Sequence, residues 1–213
     1  PDRETCQTAR YASSLCISGN ANLRTFQIWV GEGSNGKSTW IDVIKKTLGD
    51  EKAKNYEVKI LLERKFDSLG TTPELAHFEG AYAMFGIEVD PGKRFQSGII
   101  KNLTGGDDIT INPKYQHERD IKATWQLIFA CNDLPTFDGN DPALINRMVI
   151  LPFRMRYYKD ADDLEEIRRK GVDETYIKKA GDRDRLIGDM LKERAGILRL
   201  MIEDYIDLMV RHN

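Results

Sequence analysis

The 213-residue sequence predicts an α/β fold, with helices flanking a central, mostly parallel sheet. Three observations carry that expectation. The stretch Gly31-Glu32-Gly33-Ser34-Asn35-Gly36-Lys37-Ser38-Thr39 fits the phosphate-binding pattern G-x-x-x-x-G-K-[ST], and it lies between a strand-like run and a helical one. Residues 81–87 and 126–131 are apolar almost without interruption, as in parallel strands buried on both faces. From Asp184 onward, apolar residues such as Ile187, Leu191, Leu198, Met201, Ile202 and Tyr205 keep helical spacing.

Taken in order, residues 4–15 form a loosely amphipathic helix, ended by Ser18-Gly19-Asn20. Residues 25–30 are a buried strand leading into the glycine-rich loop. After the loop, Trp40, Val43, Ile44 and Leu48 mark a helix with Gly49 as its C-cap. Residues 50–54 are polar and read as solvated, while 56–62 fit either a short strand or a turn. Thr71 or Thr72 caps a short helix with Pro73 in its first turn. A strand over 81–87 runs into Glu88. Phe95, Ile99, Ile100 and Leu103 mark a helix. Residues 109–112 and 121–125 are the arms of a hairpin around a charged tip. The strand 126–131 ends in Asn132, and another, 147–151, starts at Arg147. Residues 157–179 are charged and helical in pattern, and the C-terminal helix is continuous or broken near Gly196. Three segments result: 1–24, a helical segment packed on the core; 25–156, the core; and 157–213, helical.

The loop carries the chemistry. Gly31, Gly33 and Gly36 let the backbone wrap with its N–H groups inward around Ser34 and Asn35, and the next helix adds the partial positive charge of its N-terminus. Lys37 reaches β- and γ-phosphates, and Ser38, with Thr39 beside it, offers a hydroxyl to Mg²⁺. A glycine-rich surface turn is the alternative. Glu88, with Asp90 nearby, stands where phosphoryl-transfer sites of this class hold Mg²⁺ and activate the attacking water; otherwise both simply leave the sheet into solvent. Asn132 can hold that water or touch the γ-phosphate, or form an Asx-turn before Asp133-Leu134-Pro135. Arg147 can reach a neighbouring subunit's phosphate, or make an ordinary ion pair. At the hairpin tip Lys114, Tyr115, His117 and Arg119 mix cations with flat rings, which suits a nucleic acid, although a solvated hairpin has the same composition.

Composition narrows the class. With 40% hydrophobic and 31% charged residues the chain reads as globular, and no apolar run approaches membrane-span length. Cys6, Cys16 and Cys131 have no paired spacing, which argues against a zinc site or a disulfide scaffold and fits a reducing intracellular compartment. A net charge of -2 gives no global basic field, so any nucleic-acid contact must be local or multiplied by oligomerisation. A start at Pro1 rather than Met suggests a piece of a longer protein.

Phosphate loop, acid-ended strand, charged hairpin, Asn-ended strand and Arg-led strand follow in one order that resembles the superfamily 3 helicases. The likeness is to the helicase domain of viral, phage and plasmid primase-helicases, including the poxvirus-type branch. It rests on Gly33-Ser34-Asn35-Gly36-Lys37-Ser38-Thr39, Glu88-Val89-Asp90, residues 100–107, residues 128–135, Asn146-Arg147-Met148 and Leu151-Pro152-Phe153, and covers about residues 10–205. The resemblance implies an AAA+ core with a pre-sensor hairpin, Lys37 and Ser38 binding ATP and Mg²⁺, Glu88 as catalytic acid and Asn132 as polar sensor. It further implies Arg147 as a finger given in trans within a ring, a hexamer being the expectation, and Lys101 with the hairpin facing single-stranded DNA. An upstream primase domain and a site of viral, phage or plasmid replication inside the host belong to the same implication. Two departures stand out: Pro91 replaces a second acid that many relatives have, and Asn146 replaces an arginine, leaving Arg147 the one finger candidate there.

Two other classes compete. A small-molecule P-loop kinase would need an acceptor pocket and a mobile, Arg-rich lid, and no clear lid is visible. A GTPase would need a guanine-reading Asn-Lys-x-Asp, whereas Asn132 is followed by Asp133-Leu134.

Overall fold

The computed structural model describes residues 3–20, 23–62, 73–87, 94–113, 115–137 and 141–212. The elements follow in the order α1 (Arg3–Ser14), β1 (Phe26–Val30), α2 (Lys37–Leu48), β2 (Ala53–Tyr56), β3 (Ala83–Ile87), α3 (Ser97–Leu103), β4 (Asp108–Ile111), β5 (Arg119–Lys122), β6 (Gln126–Cys131), α4 (Pro142–Ile145) and β7 (Met148–Pro152). They continue with β8 (Arg156–Tyr158), α5 (Ala161–Arg169), β9 (Ile177–Lys179), α6 (Arg183–Lys192) and α7 (Arg194–His212). Short 3-10 turns cover Leu15–Ile17, Val58–Leu61, Pro73–Phe78 and Glu174–Tyr176.

The central sheet has the order β2-β3-β6-β1-β7, and every pairing in it is parallel. The expected parallel α/β core is therefore present. Its strands alternate between two apolar layers, because successive side chains of a strand point to opposite faces. Phe26, Ile28, Met84, Leu127 and Phe129 join a core with Phe95, Ile100, Trp125 and the hairpin residues Ile109, Ile111 and Ile121. Trp29, Phe85, Ile128, Ala130 and Leu151 face the other way, against Ala12 and Cys16, Ile41 and Ile44, and Met201. So α1, α2 and α7 cover one face, while α3, the hairpin and the 3-10 turns Val58–Leu61 and Pro73–Phe78 cover the other. That double cover is why β1, β3 and β6 read as nearly continuous apolar runs.

Polar side chains lock α1 into its layer. Gln27, fully buried in β1, donates to Ala12 O at 2.8 Å and accepts from Trp29 Nε1 at 2.9 Å. Trp40 Nε1 donates to Ser13 Oγ at 2.9 Å. Arg10 grips Asp204 of α7 through two hydrogen bonds of 2.6 and 2.9 Å, and Arg194 Nε donates to Thr47 O at 3.0 Å.

The hairpin is present as expected, β4 and β5 pairing antiparallel with Ile111 opposite Arg119. The structure departs from the sequence reading in three places. Residues 50–54 are not wholly solvated: Ala53 is buried and opens β2, the sheet's edge strand beside β3. The segment 157–179 is helical only over α5; β8 and β9 pair in parallel as a two-stranded sheet. The C-terminal break falls at Glu193, between α6 and α7, and Gly196 lies inside α7. Among the described residues no helix is long and apolar enough to cross a membrane. The expected caps Thr71 and Thr72 lie outside the described residues.

Candidate functional site

The glycine-rich loop lies at the C-terminal edge of the central sheet. It leaves β1 between its two neighbours: Gly31 N–H donates to Cys131 O at 3.2 Å, and Phe153 N–H donates to Val30 O at 2.7 Å. A side chain at Gly31 is excluded, since a Cβ there would lie 2.4 Å from Phe153 O and 2.6 Å from Asn35 Nδ2. Ser34 (φ 56°) and Gly36 (φ 91°) turn the loop through left-handed conformations, the first an uncommon one for a residue with a side chain. Asn35 is buried at the centre, its Oδ1 accepting from Lys37 N–H at 3.3 Å and its Nδ2 donating to Phe153 O at 3.5 Å.

Gly36 caps α2 without a side-chain bond, so beyond the Lys37 N–H taken by Asn35 the next N–H groups of this 12-residue helix have no intrahelical acceptor and can meet an anion. Lys37, 7% exposed, donates its ammonium across the loop to Gly31 O. Burial pulls this ammonium below its ordinary value; the Cys131 thiol works in the opposite sense, and the Arg156 charge adds to the lowering. Burial likewise pushes the Cys131 thiol up, to about 11. Ser38 is exposed and Thr39 half-buried on the first turn of α2. Asn132, exposed, follows the last residue of β6, whose carbonyl takes the Gly31 N–H, so it belongs to the same edge. β3 reaches this edge too, Ile87 standing beside Ala130. Glu88 and Asp90 fall outside the described residues.

Arg147 belongs to the opposite edge. It precedes β7 and accepts from Phe26 N–H at 2.8 Å, at the start of β1. Five strand residues then separate it from the loop of its own chain, about 16 Å at ordinary strand rise. Its Nη1 donates to Lys101 O at 2.7 Å and Thr104 Oγ1 at 3.1 Å, at the C-terminal turn of α3. Lys101 itself donates to Asp141 Oδ2 at 2.8 Å, and Asp141 caps α4 through Leu144 N–H. The Lys101 ammonium holds the Asp141 carboxyl below the usual carboxylate range.

The hairpin is fastened at that same end. Arg119 donates to Glu79, just ahead of β3, at 2.7 Å and to Gln116 at 2.6 Å. Tyr115 is fully exposed in a left-handed turn (φ 63°), and His117 is exposed. Lys114 lies outside the described residues. Two residues at the loop have no counterpart in the sequence reading. Arg156 Nη1 donates to Glu32 Oε2 at 2.8 Å, and Tyr157 N–H donates to Ser34 O at 2.8 Å. In the sequence Arg156 is only the last residue of the core segment 25–156, and Tyr157 opens the charged stretch 157–179 that reads as helical.

A parallel sheet of this order, with a glycine-rich loop leaving the strand between its two partners and opening a helix, defines a parallel-sheet α/β protein with its candidate site at the carboxyl edge of the strands. The chain belongs to the family described as "Family of unknown function (DUF5906)", which matches residues 29–147. It is similar to proteins named "Putative helicase" from Acanthamoeba polyphaga mimivirus, at 28% identity over 177 residues, 83% of this chain and 18% of that protein. A second, from Invertebrate iridescent virus 6, is 32% identical over 165 residues, 74% of this chain and 17% of that protein. The chain thus spans less than a fifth of the length of these relatives. Among solved structures, the apo C-terminal region of NrS-1 shares the fold at a TM-score of 0.53 and 15% identity, covering 87% of this chain and 44% of that one. The viral helicase-named relatives bear out the resemblance drawn from the motifs.

Proposed function

We propose that the chain is the ATP-hydrolysing motor segment of a replicative helicase, acting in a ring on single-stranded DNA. The observation that carries this is the loop between β1 and α2, with buried Lys37 reaching across it and Asn132 at the adjoining strand end. The donor set fits a phosphate chain: an ammonium, a guanidinium, outward N–H groups at a helix start and the exposed Ser38 hydroxyl. Gly31, Gly33, Ser34, Asn35, Gly36, Lys37, Ser38 and Thr39 would hold ATP, and Ser38 with Glu88 and Asp90 would hold Mg²⁺, which polarises the phosphate oxygens. The names of the viral relatives support the helicase class. The opposite-edge position of Arg147 supports a role toward a neighbour's nucleotide rather than its own. Lys101, Lys114, Tyr115, His117 and Arg119 are the proposed DNA contacts. A primase domain elsewhere in the same protein belongs to this reading.

The test is ATP hydrolysis with and without single-stranded DNA. Lys37→Ala should abolish hydrolysis and weaken nucleotide binding, while Glu88→Gln should keep binding and stop hydrolysis, because shape is kept and charge on the water-activating group is lost. Parent-rate hydrolysis by Lys37→Ala would remove the loop from the mechanism. DNA-independent phosphorylation of a small acceptor would favour the kinase class instead.

A further inference from the structure

Arg156 lies in β8 but belongs by contact to the phosphate loop. Its Nη1 donates to Glu32 Oε2 at 2.8 Å, and its side chain is 12% exposed against 62% for Glu32. The neighbouring Tyr157 is anchored through its backbone to Ser34 and carries its ring over Gly36. The Nε of Arg156 is buried and has no acceptor among the described residues. A buried N–H of a charged group without a partner costs more free energy than an ordinary hydrogen bond returns, so this one calls for an acceptor that the described residues do not provide. The surrounding charges are Lys37, Glu32, Glu166 and Lys170, and the last two are already paired at 2.8 Å. Glu32 is an exposed acceptor at the mouth of an anion site, where its charge opposes the ligand. A guanidinium offers several N–H donors in a plane that match phosphate oxygens as well as a carboxylate, and the bond to Glu32 runs from Nη1 alone.

We propose that Arg156 binds the phosphates of the nucleotide held by its own chain, and that Glu32 keeps its guanidinium at the loop until a phosphate displaces the carboxylate. This rests on the reading of the loop as an ATP site. It gives the site two cations of different origin: Lys37 from the loop's own helix, and Arg156 from a strand that β9 and Tyr157 brace against the loop. A merely structural ion pair would make both partners matter in the same direction. Displacement makes them opposite.

The experiment is calorimetric titration of ATP with Mg²⁺ into the whole chain, with thermal melting as the folding control. Arg156→Ala should weaken ATP binding by about ten- to a hundredfold, and Arg156→Lys should restore only part of it. Glu32→Gln, at an exposed position, should tighten binding severalfold, and that gain should vanish in the double variant with Arg156→Ala. Lys37→Ala separates the two levels. If Lys37→Ala loses binding while Arg156→Ala stays within twofold of the parent, the role of Arg156 is overturned and the ATP site stands. If Lys37→Ala binds as the parent does, the ATP site itself falls. Should Arg156→Ala fail to fold, Glu32→Gln decides: unchanged or weaker ATP binding overturns the displacement.

Discussion

Asn35 is buried among loop residues that are mostly exposed, and its amide ties two segments together. Through Oδ1 it fixes the first N–H of α2, and through Nδ2 it holds the chain after β7. The loop is thus shaped by a side chain and by the glycine that must leave room for it, before any ligand arrives. The cysteines report on the same region. Cys16 and Cys131 are buried, with thiols pushed up to about 12 and about 11, whereas Cys6 is exposed. A raised value keeps the thiol protonated below it, so at pH 8 only about one Cys131 in a thousand is thiolate, and fewer for Cys16. Iodoacetamide at pH 8 should therefore label Cys6 alone in the native chain, read by peptide mass, with the other two labelled once denaturant is added. Native labelling of Cys131 at the rate of Cys6 would mean that the β6 end of the site opens freely.

At the scale of elements, α1 and α7 are held to each other by Arg10 and Asp204, the acid being 5% exposed and the Arg10 side chain 43%. Asp204→Ala should cost about 1–2 kcal/mol, the half-exposed arginine limiting the loss, and lower the melting temperature by about 2–8 °C. Arg199→Ala, which removes an exposed pair with Glu203 one turn away, should change it by less than about 2 °C. Equal effects would show that the Arg10–Asp204 pair adds nothing measurable to the α1–α7 contact. Elements buried on both faces were the legible ones: β1, β3 and β6 announce themselves because they are apolar almost throughout, the buried Gln27 being tolerated only with its amide bonded to Ala12 O and Trp29 Nε1. β2 was hidden because an edge strand that carries half-buried Lys54 and exposed Asn55 looks like a solvated turn until β3 lies beside it. β8 and β9 were hidden because strands of three residues, none of them buried, show no period to detect. The loop was legible because its chemistry is contiguous. Arg156 was not, since its partner Glu32 lies 124 positions away and only the folded chain brings them together.

For the whole molecule, the loop and Arg147 occupy opposite ends of one sheet, so a second copy is the natural way to join them. Under the proposed function, ATPase activity per chain should rise with protein concentration. Arg147→Ala should lose most hydrolysis while still binding ATP. Mixing it with Glu88→Gln chains should restore part of the activity, because some interfaces then pair an intact Glu88 with an intact Arg147. A mixture as inactive as its components, where rings form and exchange subunits, would rule out action in trans. The strand order has a separate consequence, in time. Phe26 of β1 pairs with Leu127 on one side and Met148 on the other, and β6 also completes the free edge of β3. A ribosome adding about 5–20 residues per second takes roughly 5–20 seconds to travel from Phe26 to Leu127, the first of its two partners to be made. Throughout that interval the strand holding Phe26, Ile28 and Trp29 has no neighbour in its sheet, and a nascent chain interrupted before β6 leaves its most apolar segment open to anything else nearby.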